Sequence, residues 1–541
     1  MDRAPPSSEA FRSTHVWLLT LTFCAFCLVR YFQSPWRSLP PGPTVLHFLG
    51  KIFQLRQEPW EVFKQWGQVF GPVVYLNVLG QPLVIINSRK VAVDLLDRRA
   101  EKYSGRPRNI VASDILTGGL FFALAGYNTT WRRLHKAALE GLKKSAVTEY
   151  RPIQYNEALL LTSGMLSDPR NWDTHLYRTS ASVTMSMVYN TPPIQSKNDP
   201  AVKSIADCVF RITRAVMPGA HLVEFFPWMM HLPKWLASWK AEAMGWFSHD
   251  SAMFERLFSA ARDRWAAGVE RASLATTLIE GSKYHGLSER EVAWLAATVY
   301  AAGADTTAAT MAWWMLAMAA HPDAQRRAQE ELDTVVGRSR PPSFADFEHL
   351  PYIQAMAKEV VRWQPIDRVG IPRRSLEDDW YNGYFIPAGS VIIVNMWHLC
   401  RNPEVYGEDA AQFNPSRHLD AHGQLASSSI VSKEGQVAFG FGSRICLGRH
   451  FANDSLFIGI AMILWALNIE PAVDEKGNEL PLDLDGYIND GVVMYVVSHT
   501  FSDLHISYTS PHRRPVPFQC KITPRFADAV SVLEQERELS R

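Results

Sequence analysis

The sequence predicts a mainly α fold of the α+β kind: one large helical domain with small β-sheets, set behind an N-terminal membrane anchor. Three observations carry this. Apolar residues recur three and four apart over residues 131–142, 201–215, 252–268, 289–320 and 322–336, the spacing of helices that bury one face. Runs rich in β-branched residues are few and short, at 73–79, 83–86, 383–386 and 391–395. No internal repeat and no low-complexity linker interrupts residues 44–490, so the body reads as one unit.

In chain order, the first element is the stretch 13–33. Residues 13–29 carry no formal charge, and Arg30, Tyr31 and Phe32 close the run, with Trp17 near its start. A run of this length is close to the lower limit for spanning a bilayer, and an aromatic ring with a snorkelling arginine suits its interfaces. No small-x-small cleavage site follows, so a retained transmembrane anchor is expected rather than a removed signal. Arg3 and Arg12 on one side balance Arg30 and Arg37 on the other, which leaves the orientation open. Residues 34–43, with Leu39-Pro40-Pro41-Gly42-Pro43, predict a stiff proline-rich hinge. The domain proper is assigned to 44–541. It opens on two strands around Gly80-Gln81-Pro82 and a helix over 91–100.

The chain has 541 residues, 47% hydrophobic and 20% charged, enough apolar material for a large core. Lys+Arg 55 against Asp+Glu 54 leaves a net charge of +1. The basic excess that nucleic acid would call for is missing. The six cysteines, Cys24, Cys27, Cys208, Cys400, Cys446 and Cys520, fit neither a disulfide framework nor a zinc site, and leave room for a lone thiol ligand in a reducing compartment.

One segment stands out: Phe439-Gly440-Phe441-Gly442-Ser443-Arg444-Ile445-Cys446-Leu447-Gly448, followed by an apolar helical stretch. Two glycines permit a tight bulged loop and a third lets the next helix come close to a flat cofactor. The thiol lies at that helix's start, where dipole and free amides favour a thiolate. A lone cysteine in an apolar segment is more often a buried small residue. The form F-x-x-G-x-R-x-C-x-G reverses that judgement.

The segment resembles the cysteine-ligand loop of the cytochrome P-450 superfamily, and the other family motifs follow in order. The resemblance implies the P-450 fold, haem b with iron held by Cys446, and a cofactor contact from Phe439 and Gly442. Ala302-Gly303-Ala304-Asp305-Thr306-Thr307 matches A-G-x-D-T-T in the middle of helix 289–320. By that match Thr306 and Asp305 are the catalytic pair that relays protons. Gly303, costly in mid-helix by roughly 0.5–1 kcal/mol, predicts a close approach of the backbone to haem and dioxygen. The alternative is an ordinary helix whose threonines bond back one turn. Glu359-Val360-Val361-Arg362 and Arg417 match the family's buried charge cluster, whereas Ser416 and His418 depart from its P-E-R-F segment. The propionates are assigned to Arg106, Arg373, Arg444 and Trp131, with His135 standing where an arginine is usual. A histidine there makes the grip on a propionate pH-dependent.

The resemblance covers roughly residues 40–525. Pro218-Gly219-Ala220, Leu222 to Pro227 and Val516 to Arg525 are similar to the fungal microsomal group labelled O-methylsterigmatocystin-oxidoreductase-like. It implies a monooxygenase taking electrons from NADPH through a cytochrome reductase, with cytochrome b5 as a second donor, on the cytosolic face of the endoplasmic reticulum membrane as a single-pass protein. The substrate expected is an apolar small molecule, a fungal secondary metabolite such as a terpenoid. Its contacts are expected from 110–122, 210–217, Ala301, Ala302 and 366–371, which are rich in apolar side chains. The alternatives are a haem-thiolate isomerase or dehydratase, and a non-catalytic haem or lipid binder. Residues 493–510 are surplus to the group, either a surface hairpin or the translation of a retained intron.

Overall fold

The computed structural model describes residues 8–44, 51, 54–55, 58–78, 80–196, 199–217, 219–268, 271–426, 437–488 and 514–539. The surplus segment 493–510 lies outside them. The chain begins with helix α1 (Ser8–Gln33) and, after α2 (Pro59–Phe70), forms the antiparallel pair β1 (Val73–Val78) and β2 (Gln81–Ile86). Helices α3 (Thr129–Leu142), α4 (Arg151–Ser167), α5 (Trp172–Tyr189), α6 (Pro200–Val216), α7 (Ser238–Ala266) and α8 (Leu274–His285) follow. The 32-residue α9 (Glu289–Ala320) runs through the body, and α10 (Pro322–Val335) and α11 (Pro351–Trp363) pack beyond it.

The strands β3 (Arg373–Arg374), β4 (Asp379–Tyr381), β5 (Tyr384–Ile386) and β6 (Val391–Val394) come next, then α12 (Arg449–Ala466), β7 (Leu467–Pro471), β8 (Tyr487–Ile488), β9 (Arg514–Pro515), β10 (Cys520–Pro524) and α13 (Ala529–Leu539). The main sheet has the order β1-β2-β6-β3. β6 runs parallel to β2 with Leu83 opposite Val391, and antiparallel to β3 with Arg373 opposite Ile392. That pairing carries Arg373 into the interior. Three two-stranded sheets complete the β structure of the described residues.

Helix α9 starts as its sequence dictates. Ser288 accepts from the Glu291 amide and Glu291 reaches back to Ser288, a capping box, and the helix ends where Pro322 begins the next. Its two halves are buried all round, with Trp294 in one and Trp313 and Trp314 in the other. Between them Ala302 is exposed although it lies at the middle of the most enclosed helix. An exposed alanine there faces an internal space, not bulk surface.

Several expected elements differ. The helix expected over 91–100 is a short α-turn (Arg89–Ala92) that widens to a π-helical turn (Val93–Asp97) before a second short helix (Ala100–Tyr103). α7 begins at Ser238, well before 252, because Gly245 and Ser248 blur its early spacing. The proline-rich segment 34–43 is not a free hinge. The Pro41 carbonyl accepts from the Tyr75 amide at 3.0 Å, and a Cβ on Gly42 would lie 1.7 Å from the Tyr75 oxygen. The segment thus lies along the free edge of β1.

The expected membrane-spanning element falls on α1. α1 extends further than 13–33, and Trp17, Leu19, Leu21, Phe23, Phe26, Leu28 and Phe32 on it are exposed. Among the described residues, no helix is long and apolar enough to cross a membrane.

Candidate functional site

The loop before α12 folds as its glycines require. Gly440 and Gly442 take φ of +84° and +53°. A Cβ on Gly442 would lie 1.9 Å from the Leu96 carbonyl oxygen, so no other residue fits without moving the Val93–Asp97 turn. The Cys446 amide donates to the Phe439 carbonyl at 2.8 Å, closing the bulge, and the Phe439 ring is half-buried against the apolar core. The Gly442 amide donates to Asp97 Oδ1. Asp97 had no signal in the sequence, because 345 residues separate the two partners.

Cys446 is exposed, yet burial is the foremost cause raising its thiol pKa above the ordinary value. The two facts agree only if the thiol faces a space inside the protein. The amides of Gly448 and Arg449, at the start of α12, pull the pKa back down without overcoming burial. A metal cation beside the thiol would supply the counter-charge that favours the thiolate.

Around this loop three guanidiniums converge. Arg444 donates to the carbonyls of Ser104 at 3.0 Å and Ala125 at 2.7 Å, and stands 4.1 Å over the Trp131 ring. Arg106 donates to the carbonyls of Ala123, Ile371 and Pro372 at 2.6 to 2.8 Å. Arg373 donates to the Phe441 carbonyl within the loop. Burial first, then the neighbouring guanidiniums, push Arg444 down to about 8. Burial and then Arg106 push Arg373 down to about 9, with Asp97 opposing. Arg373 Nη1 and Trp131 Nε1 are buried with no hydrogen-bond partner among the described residues. Buried cations and orphaned donors of this kind call for an anion. A flat cofactor with two carboxylates fits that demand, with the thiol for its metal.

His135 stacks on Trp131 with ring centroids 4.8 Å apart, and Trp131 stacks on Phe122 at 5.4 Å. Burial, followed by the charge on Arg444, lowers its pKa. It stands among the arginines, against the Trp131 face.

On α9 the Thr306 hydroxyl donates to the Ala302 carbonyl at 2.8 Å, the back-bond of an ordinary mid-helix threonine. The oxygen's lone pairs stay free to accept. Asp305 beside it is half-buried. Gly303 needs correction: a Cβ there would meet Thr184 Cγ2 at 2.8 Å, and Ser180 Oγ donates to its carbonyl at 3.2 Å. The glycine admits α5 closely, and the close approach is to that helix, not to a cofactor.

The Glu359 cluster is complete. Arg362 grips the carboxylate with two bonds of 2.7 Å, Arg417 Nε adds one at 3.0 Å, and the Asn414 amide one at 2.8 Å. His418 bonds it at 2.8 Å as well, so the departure from the aromatic of P-E-R-F adds a contact to the cluster instead of removing one. Burial alone would raise Glu359; the bonds from Arg362 and His418 overcome it and hold the carboxyl at about 2.

Of the four spans expected to meet substrate, Ile110 to Phe122, the Ile212 and Ala215 face of α6 and Ala301 share one apolar cluster. Ile366 and Val369 pack into two other clusters, and Ile371 is half exposed.

A family model described as Cytochrome P450 matches residues 40–484. A cytochrome P450 monooxygenase of Armillaria gallica is 56% identical over 97% of both chains. Cytochrome P450 monooxygenase 58 of Postia placenta is 45% identical over 92% of this chain and 90% of its own. Cytochrome P450 monooxygenase iboC of Amanita muscaria is 38% identical over 93% and 94%. A solved structure of a zebra fish cytochrome P450 with abiraterone shares the fold with a TM-score of 0.63 at 22% identity, covering 86% of this chain and all of that one. With a thiol facing inward, buried guanidiniums with a donor left over, and relatives of this kind along its length, the chain belongs to the cytochrome P450 family and is a monooxygenase.

Proposed function

We propose that Cys446 is the axial ligand of haem b, and that Arg106, Arg373, Arg444 and Trp131 hold the propionates. The observation that carries this is the pair of buried, unpartnered donors, Arg373 Nη1 and Trp131 Nε1, beside a guanidinium cluster short of negative charge. When bound, thiolate-ligated haem supplies reductive activation of dioxygen. One oxygen atom enters the substrate and the other leaves as water, with NADPH the two-electron source through a reductase. Thr306 and Asp305 serve the protons: the Thr306 hydroxyl, which rests on the Ala302 carbonyl, would turn to give its proton forward and take one back from the solvent side by way of Asp305. His135 packs the Trp131 face and excludes water there.

The substrate is an apolar metabolite, in our reading a terpenoid, lodged against the cluster of Ile110, Ile115, Phe122, Ile212 and Ala301. Electrons enter on the outer side of the cysteine loop, where Lys136, Lys143, Lys144, Arg449 and His450 line one surface groove that suits an acidic reductase surface. Attachment to the endoplasmic reticulum membrane rests on α1, and a second exposed aromatic group, Phe225, Phe226, Trp228 and Trp235, gives the domain its own apolar contact. The test is spectroscopic. Reduced protein under carbon monoxide is expected to show the long-wavelength Soret band of thiolate ligation, and Cys446→Ser to lose it; an unchanged band in the variant overturns the assignment.

A further inference from the structure

The segment between Ser104 and Ala125 leaves the cysteine loop and returns to it. At its base Arg444 holds the carbonyls of Ser104 and Ala125, and Arg106 holds that of Ala123. At its crest lies the π-helical turn Ile110–Leu116, packed by apolar side chains under α6 and α7. Apolar packing does not fix orientation or register. What ties the crest is a carboxylate from another part of the chain: Glu224 Oε2 accepts from the Ile110 amide at 2.8 Å and Oε1 from the Val111 amide at 2.9 Å. Glu224 belongs to the short helix Leu222–Glu224 in the connection from α6 to α7. Burial pushes its carboxyl up and the two amides draw it back, so the carboxylate is held where water competes poorly. Asn109 satisfies the Ala112 amide locally, at 2.7 Å, which leaves Glu224 as the charged tie between separate segments here.

We infer that Glu224 is a positioning residue that governs passage of ligand to the inner space, by clamping the α6–α7 connection onto the crest that carries Ile110, Ile115 and Leu116. The inference rests on the apolar-substrate reading above. With both carboxylate bonds in place, the crest and the connection part only together with the loss of two charge-assisted bonds. Without them what resists is apolar contact, which slides, and the long 3.5 Å bond from Asn109 Nδ2 to the Ala215 carbonyl.

The test is stopped-flow mixing of the ferric holoenzyme with 4-phenylimidazole, followed by the Soret shift. Glu224→Ala is expected to raise association and dissociation rates together, about tenfold, leaving Kd within about threefold. Glu224→Gln keeps the volume and one acceptor oxygen, and is expected to fall between, a graded rescue that simple loss of stability does not give. The carbon monoxide Soret position is expected to stay put in both. Rates within about twofold of the parent in both variants, or a faster dissociation with unchanged association, overturn the clamp while leaving the haem-thiolate reading intact. If Glu224→Ala does not retain haem, Glu224→Gln decides by the same criteria. No Soret shift in the parent protein overturns both readings.

Discussion

Two arginine clusters lie in the interior, and they are built on opposite principles. Around Glu359 the guanidiniums of Arg362 and Arg417 and the ring of His418 surround one carboxylate with every bond at 2.7 to 3.0 Å. Around the cysteine loop Arg106, Arg373 and Arg444 meet mainly backbone carbonyls, and donors are left over. Carbonyl dipoles position a guanidinium but do not neutralise it. The first cluster is finished by the chain itself, whereas the second is finished by what it binds. Neighbouring sequence does not separate them, since arginine is the residue in both.

The largest expected effect tests the finished cluster. Glu359→Gln leaves the buried Arg362 without its counter-charge and Arg417 with Asp409 alone, and is expected to lower stability by about 3–5 kcal/mol, read as loss of folded yield or a large drop in denaturation midpoint. Little change there would make the cluster a solvated bridge, contrary to its geometry. The second effect tests the unfinished one. Arg373→Met removes a buried cation with a donor left over, so the haem-free form is expected to be as stable as the parent or slightly more so. Haem transfer to an acceptor protein is expected to speed by roughly tenfold or more, the loss of a charge-assisted bond of about 1.5–3 kcal/mol. Equal destabilisation with and without haem would show Arg373 to be structural.

A smaller effect comes from pH. His135 has its folded pKa depressed by burial and by Arg444, so the stability it contributes is present above the unfolded value of 6.5 and is lost as pH falls through the depressed one. Glu359 is depressed to about 2, so its contribution is present above the unfolded value of 4.5 and is lost only as pH falls through about 2. The cysteine-loop side is therefore expected to loosen first on acidification, seen as Trp131 fluorescence changing at a higher pH than the global far-ultraviolet transition. His135→Phe is expected to narrow that gap. A single coincident transition in both proteins would mean that the two regions titrate as one.

The same contrast explains what could be read from the chain alone. α9 was legible to its ends because Ser288, Glu291 and Pro322 mark them and the apolar run between is long. α5 was not: it is buried nearly all round, and Ser182, Val183, Thr184 and Ser186 give it neither helical spacing nor an apolar stripe. The cysteine loop, the arginines and the Glu359 pair were visible as motifs. Asp97 and Glu224 were invisible, because each works through a partner more than a hundred residues away. Gly303 was visible but misread, and His418 was visible only as a departure from a pattern, which does not say what replaces the lost contact.

The Arg444 bond to Ser104 spans 340 residues of chain. At the usual pace of synthesis, about 5–20 residues per second, the Ser104 carbonyl waits about 20–70 s for its partner to leave the ribosome. Through that interval the long apolar helices between them are already made, with the wall they will share still incomplete. The catalytic centre is thus among the last features the nascent chain can assemble, and productive synthesis depends on something, a chaperone or the membrane surface, that shields those helices until residue 444 arrives.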